Sequence, residues 1–212
     1  MDLSSIVESQ PYLSMLKDIV TASAAVFAAT VAARGLTTWQ RQFRGQQDYT
    51  LARQIALAAI KYQSSIDGVR NPFMWFDLKE VPGKLTDAKK AKFNDTAAQY
   101  QSRWDAVVIE RDILEAAIKE AKVVWKNGAE LDRIWRDLFE LEKELRRSVF
   151  NYLSAINPDA PEGIKEAARE SLKNARDILY DMLEEENPDS FKNEISLGVQ
   201  SIIDWLGPKL MH

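Results

Sequence analysis

Two groups of carboxylates are the best candidates in the sequence for metal binding or acid–base catalysis. They are Glu110, Asp112 and Glu115 in one segment and Glu140, Glu142 and Glu144 in another. Converging carboxylates bind Mg²⁺ or act as general acid and base. Both groups are interleaved with cations, namely Arg111, Lys119, Lys143, Arg146 and Arg147. That interleaving is typical of a solvated helix face with ion pairs three or four residues apart, so we predict no catalytic role for either group.

The sequence lacks the residues that other common catalytic and metal-binding sites require. The sequence contains no cysteine, and its single histidine is His212, the last residue. Thiol catalysis, disulfides, the usual zinc ligand sets and histidine-based triads are therefore excluded. The eight glycines are scattered and form neither Gly-x-Gly-x-x-Gly nor a Gly-Lys-Ser/Thr loop, as phosphate-binding loops require. We therefore predict a protein that is not an enzyme and that has no cofactor or metal site.

Length and composition favour one helical domain of ordinary size. The 212 residues are 46% hydrophobic and 28% charged, which is usual for a folded chain. Seven prolines are too few for a turn-rich sandwich or barrel, and no alternating strand pattern occurs. The fold class that follows is all-α. A net charge of -4 gives no general attraction to nucleic acid, which is not an expected partner.

An uncharged, alanine-rich run over residues 19–33 predicts a membrane-spanning helix. Its length of roughly 22 Å is shorter than a bilayer core of about 30 Å. A snorkelling Arg34 extends the span to about 21 residues, and Trp39 then lies where interfacial aromatics are found. The alternative is that residues 19–33 form a core helix of a soluble bundle.

The charges on the two sides of this run predict its orientation. Residues 1–18 carry only Lys17 against three acidic side chains, so no basic region precedes the run, as a signal peptide would require. Arg34, Arg41 and Arg44 follow it. The positive-inside rule therefore predicts a single-pass protein of a bacterial inner membrane, with its N-terminus outside and its C-terminus in the cytoplasm. Arg34, Trp39, Arg41 and Arg44 are the predicted membrane-interface residues.

Small residues recur every four positions along the same segment, in two adjacent stripes. They are Ala24, Ala28 and Ala32 in one stripe and Ala25, Ala29 and Ala33 in the other. In lipid, small residues at this spacing let helix backbones approach closely and favour association. We therefore predict a homo-oligomer formed through these six alanines.

The remaining chain, residues 46–212, is predicted to form a cytosolic helical bundle, distinct from residues 1–45 with their tail, span and basic flank. Apolar residues at helical spacing follow one face from Leu51 to Ile66, and a stop is expected at Gly68 and the Asn71-Pro72 step. Thr86 is the expected N-cap of the next helix, whose apolar face continues to Trp125.

The cleanest periodic signal lies in the third helix. Its predicted seam alternates spacings of three and four and consists of Leu131, Ile134, Leu138, Leu141, Leu145, Ser148 and Tyr152. A short Asn127-Gly128 connection predicts that this helix folds back antiparallel on the one before it, as a coiled-coil hairpin.

A fourth helix is predicted after the break at residues 157–161 and is expected to end at the acidic residues before Pro188, and a fifth carries one apolar face from Phe191 to Leu210. Gly207-Pro208 is expected to end or kink the fifth helix.

Two further features are candidate contact sites. Arg111 interrupts an apolar stripe, and we expect a carboxylate of the neighbouring helix as its partner. Phe73, Trp75 and Phe76 lie in a proline-containing loop, where they enter the membrane surface, bind a partner or cover the end of the bundle.

Residues 35–45 read Gly-Leu-Thr-Thr-Trp-Gln-Arg-Gln-Phe-Arg-Gly, followed by Tyr49, Leu51-Ala52-Arg53 and residues 69–73, Val-Arg-Asn-Pro-Phe. Together they resemble an uncharacterised family of small bacterial proteins with one N-terminal membrane helix and a helical cytosolic region. The resemblance covers about residues 15–75 and implies an inner-membrane setting. It implies no activity, cofactor or catalytic residue.

These observations predict a non-enzymatic, membrane-anchored scaffold that associates with itself, with membrane lipid and with an unidentified protein. The first alternative is an effector that perturbs the membrane, as in phage defence or a toxin-like system. The second is a soluble helical adaptor in which residues 19–33 belong to the core.

Overall fold

A computed structural model describes the backbone of residues 3–71, 85–180 and 190–211, and the side chains of residues 15–71, 87–180 and 190–211. Within these ranges the chain is entirely α-helical apart from its connections, which confirms the predicted fold class. The helices are α1 (Leu3–Arg70), α2 (Leu85–Val124), α3 (Gly128–Ile156), α4 (Glu162–Asn174) and α5 (Ser190–Leu210).

The chain divides into two compact units, Met1–Tyr49 and Thr50–Met211, and the hydrophobic core lies in the second. The last part of α1 presents the predicted face to this core, where Leu51, Ile55 and Tyr62 are buried. The apolar faces of α2 and α5 are buried as predicted. The buried members are Trp104, Val107, Leu114, Ile118 and Ala121 in α2, Trp125 directly after it, and Phe191, Ile195, Val199, Ile202 and Leu206 in α5. The predicted members Val108 and Leu210 are half-buried.

Helix α3 is the element against which α2, α4 and α5 pack. The predicted members Leu131, Leu138, Leu145 and Ser148 are buried, whereas Ile134, Leu141 and Tyr152 are half-buried. The second buried row is instead Trp135, Glu142 and Val149. This row also alternates spacings of three and four with the leucines, but it contains a carboxylate, so an apolar pattern search selects the neighbouring row.

Contacts between α2 and α3 connect residues whose numbers rise in one helix and fall in the other. The Lys122 ammonium lies 2.8 Å from Asp132, the Arg111 guanidinium lies 3.3 Å from Glu142, and the rings of Tyr100 and Tyr152 are 5.9 Å apart. At the turn, a Cβ on Gly128 would lie 2.5 Å from the Ala121 carbonyl oxygen. The close approach of the two helices there requires glycine.

Several predicted helix ends differ from the structure. Helix α1 continues through Gly68 and ends at Arg70, one residue before the Asn71-Pro72 step. Gly207-Pro208 does not end α5, which continues to Leu210. The predicted N-cap side chain of Thr86 lies outside the described residues.

The fourth helix is shorter than predicted, because α4 ends at Asn174 and residues 175–180 are irregular. Ile178 and Leu179 in that segment are nevertheless buried. The Arg70 guanidinium binds the segment, with Nε 2.7 Å from the Ile178 carbonyl oxygen and Nη2 2.9 Å from that of Tyr180. These carbonyl groups are thus satisfied by a side chain instead of by helix hydrogen bonds.

Candidate membrane-interaction site and buried polar cluster

The first unit presents an apolar helix whose described side chains are all exposed from residue 15 to residue 44. Phe27 is 72% exposed, Val26 67% and Leu36 56%. These residues lie on different sides of α1 and not on one stripe. A helix that is apolar all round is covered by protein or by lipid in its working state. By length and composition, α1 qualifies as a membrane-spanning helix.

Hydroxyl groups in this segment donate to carbonyl oxygens of the same helix. Thr21, Ser23 and Thr30 each donate to the carbonyl oxygen four residues earlier, at 2.8 Å. Thr37 and Thr38 both donate to the carbonyl oxygen of Arg34, at 2.9 and 3.0 Å. Hydroxyls that are satisfied inside the helix need no water partner, which lowers the free energy of moving the helix into hydrocarbon.

The predicted interface residues lie at the C-terminal side of the apolar run and are exposed. The rings of Trp39 and Phe43 stack with centroids 5.5 Å apart, and the guanidinium groups of Arg34, Arg41 and Arg44 belong to the same stretch of helix. Phe43 was not among the predicted interface residues. Its signal in the sequence is the spacing of four from Trp39, which places two aromatic rings together on one face.

The predicted association residues are exposed as well. Ala24, Ala25, Ala28, Ala29, Ala32 and Ala33 all lie on the surface of α1. The predicted partner residues Phe73, Trp75 and Phe76 lie outside the described residues.

A buried polar cluster joins three helices of the second unit. The Tyr62 hydroxyl on α1 donates to Oε2 of Glu142 on α3 at 2.8 Å, and both side chains are almost fully buried. Nη1 of Arg111 on α2 donates to Oε1 of the same carboxylate at 3.3 Å. The expected carboxylate partner of Arg111 is thus confirmed. Glu142, by contrast, is not on a solvated face as predicted.

Burial controls the ionisation of this cluster. Loss of hydration raises the pKa of Glu142 above its ordinary value, although Tyr62 and Arg111 act in the opposite direction. Burial, together with the neighbouring carboxylate, also raises the pKa of Tyr62. The tyrosine therefore stays protonated and remains a donor at physiological pH. The cluster resembles a device that fixes helix register more than a reactive site.

A second polar cluster is formed around Arg176 in the irregular segment. Its guanidinium makes a bidentate contact to Glu144 on α3, with both distances 2.7 Å, and a contact of 2.6 Å to Glu194 on α5. Because of Arg176, the pKa of Glu144 is lowered. The guanidinium groups of Arg176 and Arg70 lie 5.3 and 4.9 Å from the ring centre of Phe191. These contacts attach the irregular segment to the core.

None of these clusters provides the usual parts of an active site. Among the described residues, no group of three or more Asp, Glu, His or Cys side chains is arranged to hold a metal ion. Comparison with known proteins adds no assignment, because no family model, curated protein or solved structure matches the chain.

Proposed function

We propose that this chain is a non-enzymatic scaffold anchored in a bacterial inner membrane by residues 19–39 of α1. The exposure of an apolar helix on every side carries the proposal, since such a surface is stable only when it is covered. Residues 19–39 measure about 31 Å along a helix, which matches a bilayer core of about 30 Å. The internally bonded hydroxyls and the Trp39–Phe43 pair support the same placement.

The orientation places the N-terminus outside and residues 50–211 in the cytoplasm, because Arg34, Arg41 and Arg44 follow the span. We also infer that α2 and α3 form an antiparallel coiled-coil hairpin. Their contacts pair residues in opposite order along the two helices. In this arrangement the bundle is the part that binds a cytoplasmic partner.

A direct test of membrane insertion is available because the chain has no cysteine. We would introduce single cysteines at Ser5 and at Ser201 and treat intact cells with a membrane-impermeant maleimide. The proposal expects labelling of Ser5→Cys in intact cells and of Ser201→Cys only after lysis. It also expects the full chain to stay in carbonate-washed membranes while a chain starting at Trp39 is released. Loss of the full chain in the wash would contradict the proposal and favour the soluble adaptor.

Self-association is the second part of the proposal and has its own test. In the variant Ala28→Leu with Ala29→Leu, larger side chains separate helices that approach through the alanine stripes. The oligomer mass in mild detergent should fall. The matched control is Ser23→Leu with Thr30→Leu, which introduces the same larger side chains on the other side of the helix and should leave the mass unchanged. An unchanged mass in the alanine variant would contradict association through this face.

A measurement of membrane potential in cells that express the chain distinguishes the scaffold from the membrane-perturbing effector. A membrane-potential dye should show no change when a scaffold is induced, whereas an effector would collapse the potential. The exposed described side chains of residues 19–33 are all uncharged. They provide no charged lining for an ion path, and this favours the scaffold.

A further inference from the structure

A cationic groove of about 460 Å³ lies within the second unit, between α2, the end of α3 and α4. Lys89 and Lys92 line it from α2, and Lys165 and Arg169 line it from α4. Among the described residues that line the groove there is no carboxylate, although the chain as a whole carries a net charge of -4. The groove is therefore lined by positive charges, whereas the protein as a whole is negatively charged.

Among the described residues, one carboxylate, Glu162, lies beside two of these cations. Glu162 lies 2.9 Å from Arg169 and 3.8 Å from Lys165, and Asp159 pairs with Lys90 at 2.6 Å. The Lys165 side chain is only 16% exposed, and its Nζ lies 3.3 Å from the Pro158 carbonyl oxygen. Lys165 and Arg169 share the single carboxylate of Glu162 and together keep a net positive charge, which an anion in the groove would neutralise.

Part of the groove wall is apolar and aromatic. Phe93 and Tyr152 line it together with Ile156 and Pro158. Burial and the neighbouring Tyr180 raise the pKa of Tyr152 to about 12, so its hydroxyl is neutral at physiological pH and adds no negative charge. The volume lies within the range of about 300–1,000 Å³ that is usual for small-molecule sites.

We propose that this groove binds a phosphate monoester attached to a ring or other apolar group. Its phosphate would lie on the lysines and Arg169, and its apolar part on Phe93 and Tyr152. Phosphate at cationic side chains and a ring on aromatic walls account for both features of the lining. The groove belongs entirely to residues 50–211, so its occupation does not depend on the membrane proposal.

The test uses the full chain in nanodiscs of phosphatidylcholine and isothermal titration with adenosine monophosphate and with inorganic phosphate. We expect adenosine monophosphate to bind once per chain with a Kd below about 1 mM, and inorganic phosphate to bind more weakly because it lacks the ring. The variant Lys92→Ala with Arg169→Ala should weaken the binding at least tenfold. The exposed Lys89→Ala provides a second variant that leaves the Glu162 ion pairs in place.

The matched control is Lys119→Ala with Lys173→Ala, which also removes one cation from α2 and one from α4 but away from the groove. It should leave the affinity unchanged. Discs containing phosphatidic acid identify the source of the phosphate, because a lipid headgroup that reaches the groove would compete with adenosine monophosphate. The proposal is overturned if neither phosphate source binds, or if the control pair weakens binding as much as the groove pair does.

Discussion

The buried carboxylate of Glu142 allows the most informative perturbation of the bundle. Its two oxygens accept one bond from the Tyr62 hydroxyl at 2.8 Å and one from the Arg111 guanidinium at 3.3 Å. Tyr62→Phe removes the first donor and changes no other polar group. Glu142→Gln removes the charge while keeping an amide oxygen that can accept from Tyr62. The two changes together form a double-mutant cycle.

The expected magnitudes follow from burial. A hydrogen bond to a buried charged group contributes about 1.5–3 kcal/mol, so Tyr62→Phe should lower the free energy of unfolding by that amount at neutral pH. In the Glu142→Gln background the same bond joins neutral groups and should contribute about 1 kcal/mol. The two residues should therefore show a coupling energy of about 1 kcal/mol or more.

The pH dependence has a definite sign. Because burial raises the pKa of Glu142 in the folded chain, the folded state holds its proton more tightly than the unfolded state does. The stability that this proton provides is fully present below the ordinary pKa and is lost as the pH rises through the folded-state value. The unfolding free energy of wild type minus that of Glu142→Gln should therefore fall as the pH rises above about 4.5, the ordinary value.

The assay is urea unfolding of the full chain in mild detergent, followed by tryptophan fluorescence. The ring of Trp135 contacts Tyr62 at a centroid distance of 5.3 Å and reports on the cluster. Glu140→Gln is the control, because this side chain is 64% exposed and pairs with Lys143 on the surface. It should change stability by less than about 0.5 kcal/mol. Equal costs of Tyr62→Phe in both backgrounds would refute a charged hydrogen bond, and no cost in either background would refute the hydrogen bond itself.

Three further predictions concern the turn between α2 and α3, the end of α1 and the irregular segment. Gly128→Ala places a Cβ 2.5 Å from the Ala121 carbonyl oxygen and should destabilise the chain by about 2 kcal/mol in the same unfolding assay. In Gly68→Ala the added Cβ meets no atom within 4 Å, so this change should stabilise α1 by about 0.5–1 kcal/mol. Arg176→Ala, whose side chain is one-third exposed, should cost about 1–2 kcal/mol at neutral pH. Because Arg176 lowers the pKa of Glu144, this cost should shrink as the pH falls through the folded-state pKa of Glu144, and a constant cost from neutral to acidic pH would count against the ion pair.

Apolar periodicity was sufficient to predict the faces of α2, α5 and the last part of α1, since nearly every member of those faces is an apolar side chain. It selected the wrong second row in α3, because Glu142 occupies a core position that is completed by Tyr62 and Arg111 from other helices. A charged residue is predicted to lie on the surface when its partners are distant in sequence. The sequence did indicate a buried carboxylate indirectly, because Arg111 interrupts an apolar face and therefore needs a carboxylate partner.

The end of α4 could not be predicted for a related reason. Residues 175–180 contain apolar side chains that continue a helical spacing, but Arg70 and Arg176 hold this segment outside a helix through carbonyl and carboxylate contacts. Those contacts join positions that are 108 and 32 residues apart in sequence. Tertiary hydrogen bonds thus override a local preference that is worth only a few tenths of a kcal/mol per residue.

The apolar part of α1 presents the opposite case, since nothing in the described chain covers it. Burying a large apolar side chain contributes about 1.5–3 kcal/mol, so Ile19, Val26, Phe27, Leu36 and Trp39 together account for roughly 10 kcal/mol. Lipid can cover every side of the helix at once, whereas a second copy covers only one. The alanine stripes are the faces with least to gain from lipid, because alanine contributes little transfer free energy. In the proposed function, insertion and self-association would therefore use different faces of the same helix, and the alanine variants should change the oligomer without releasing the chain from the membrane.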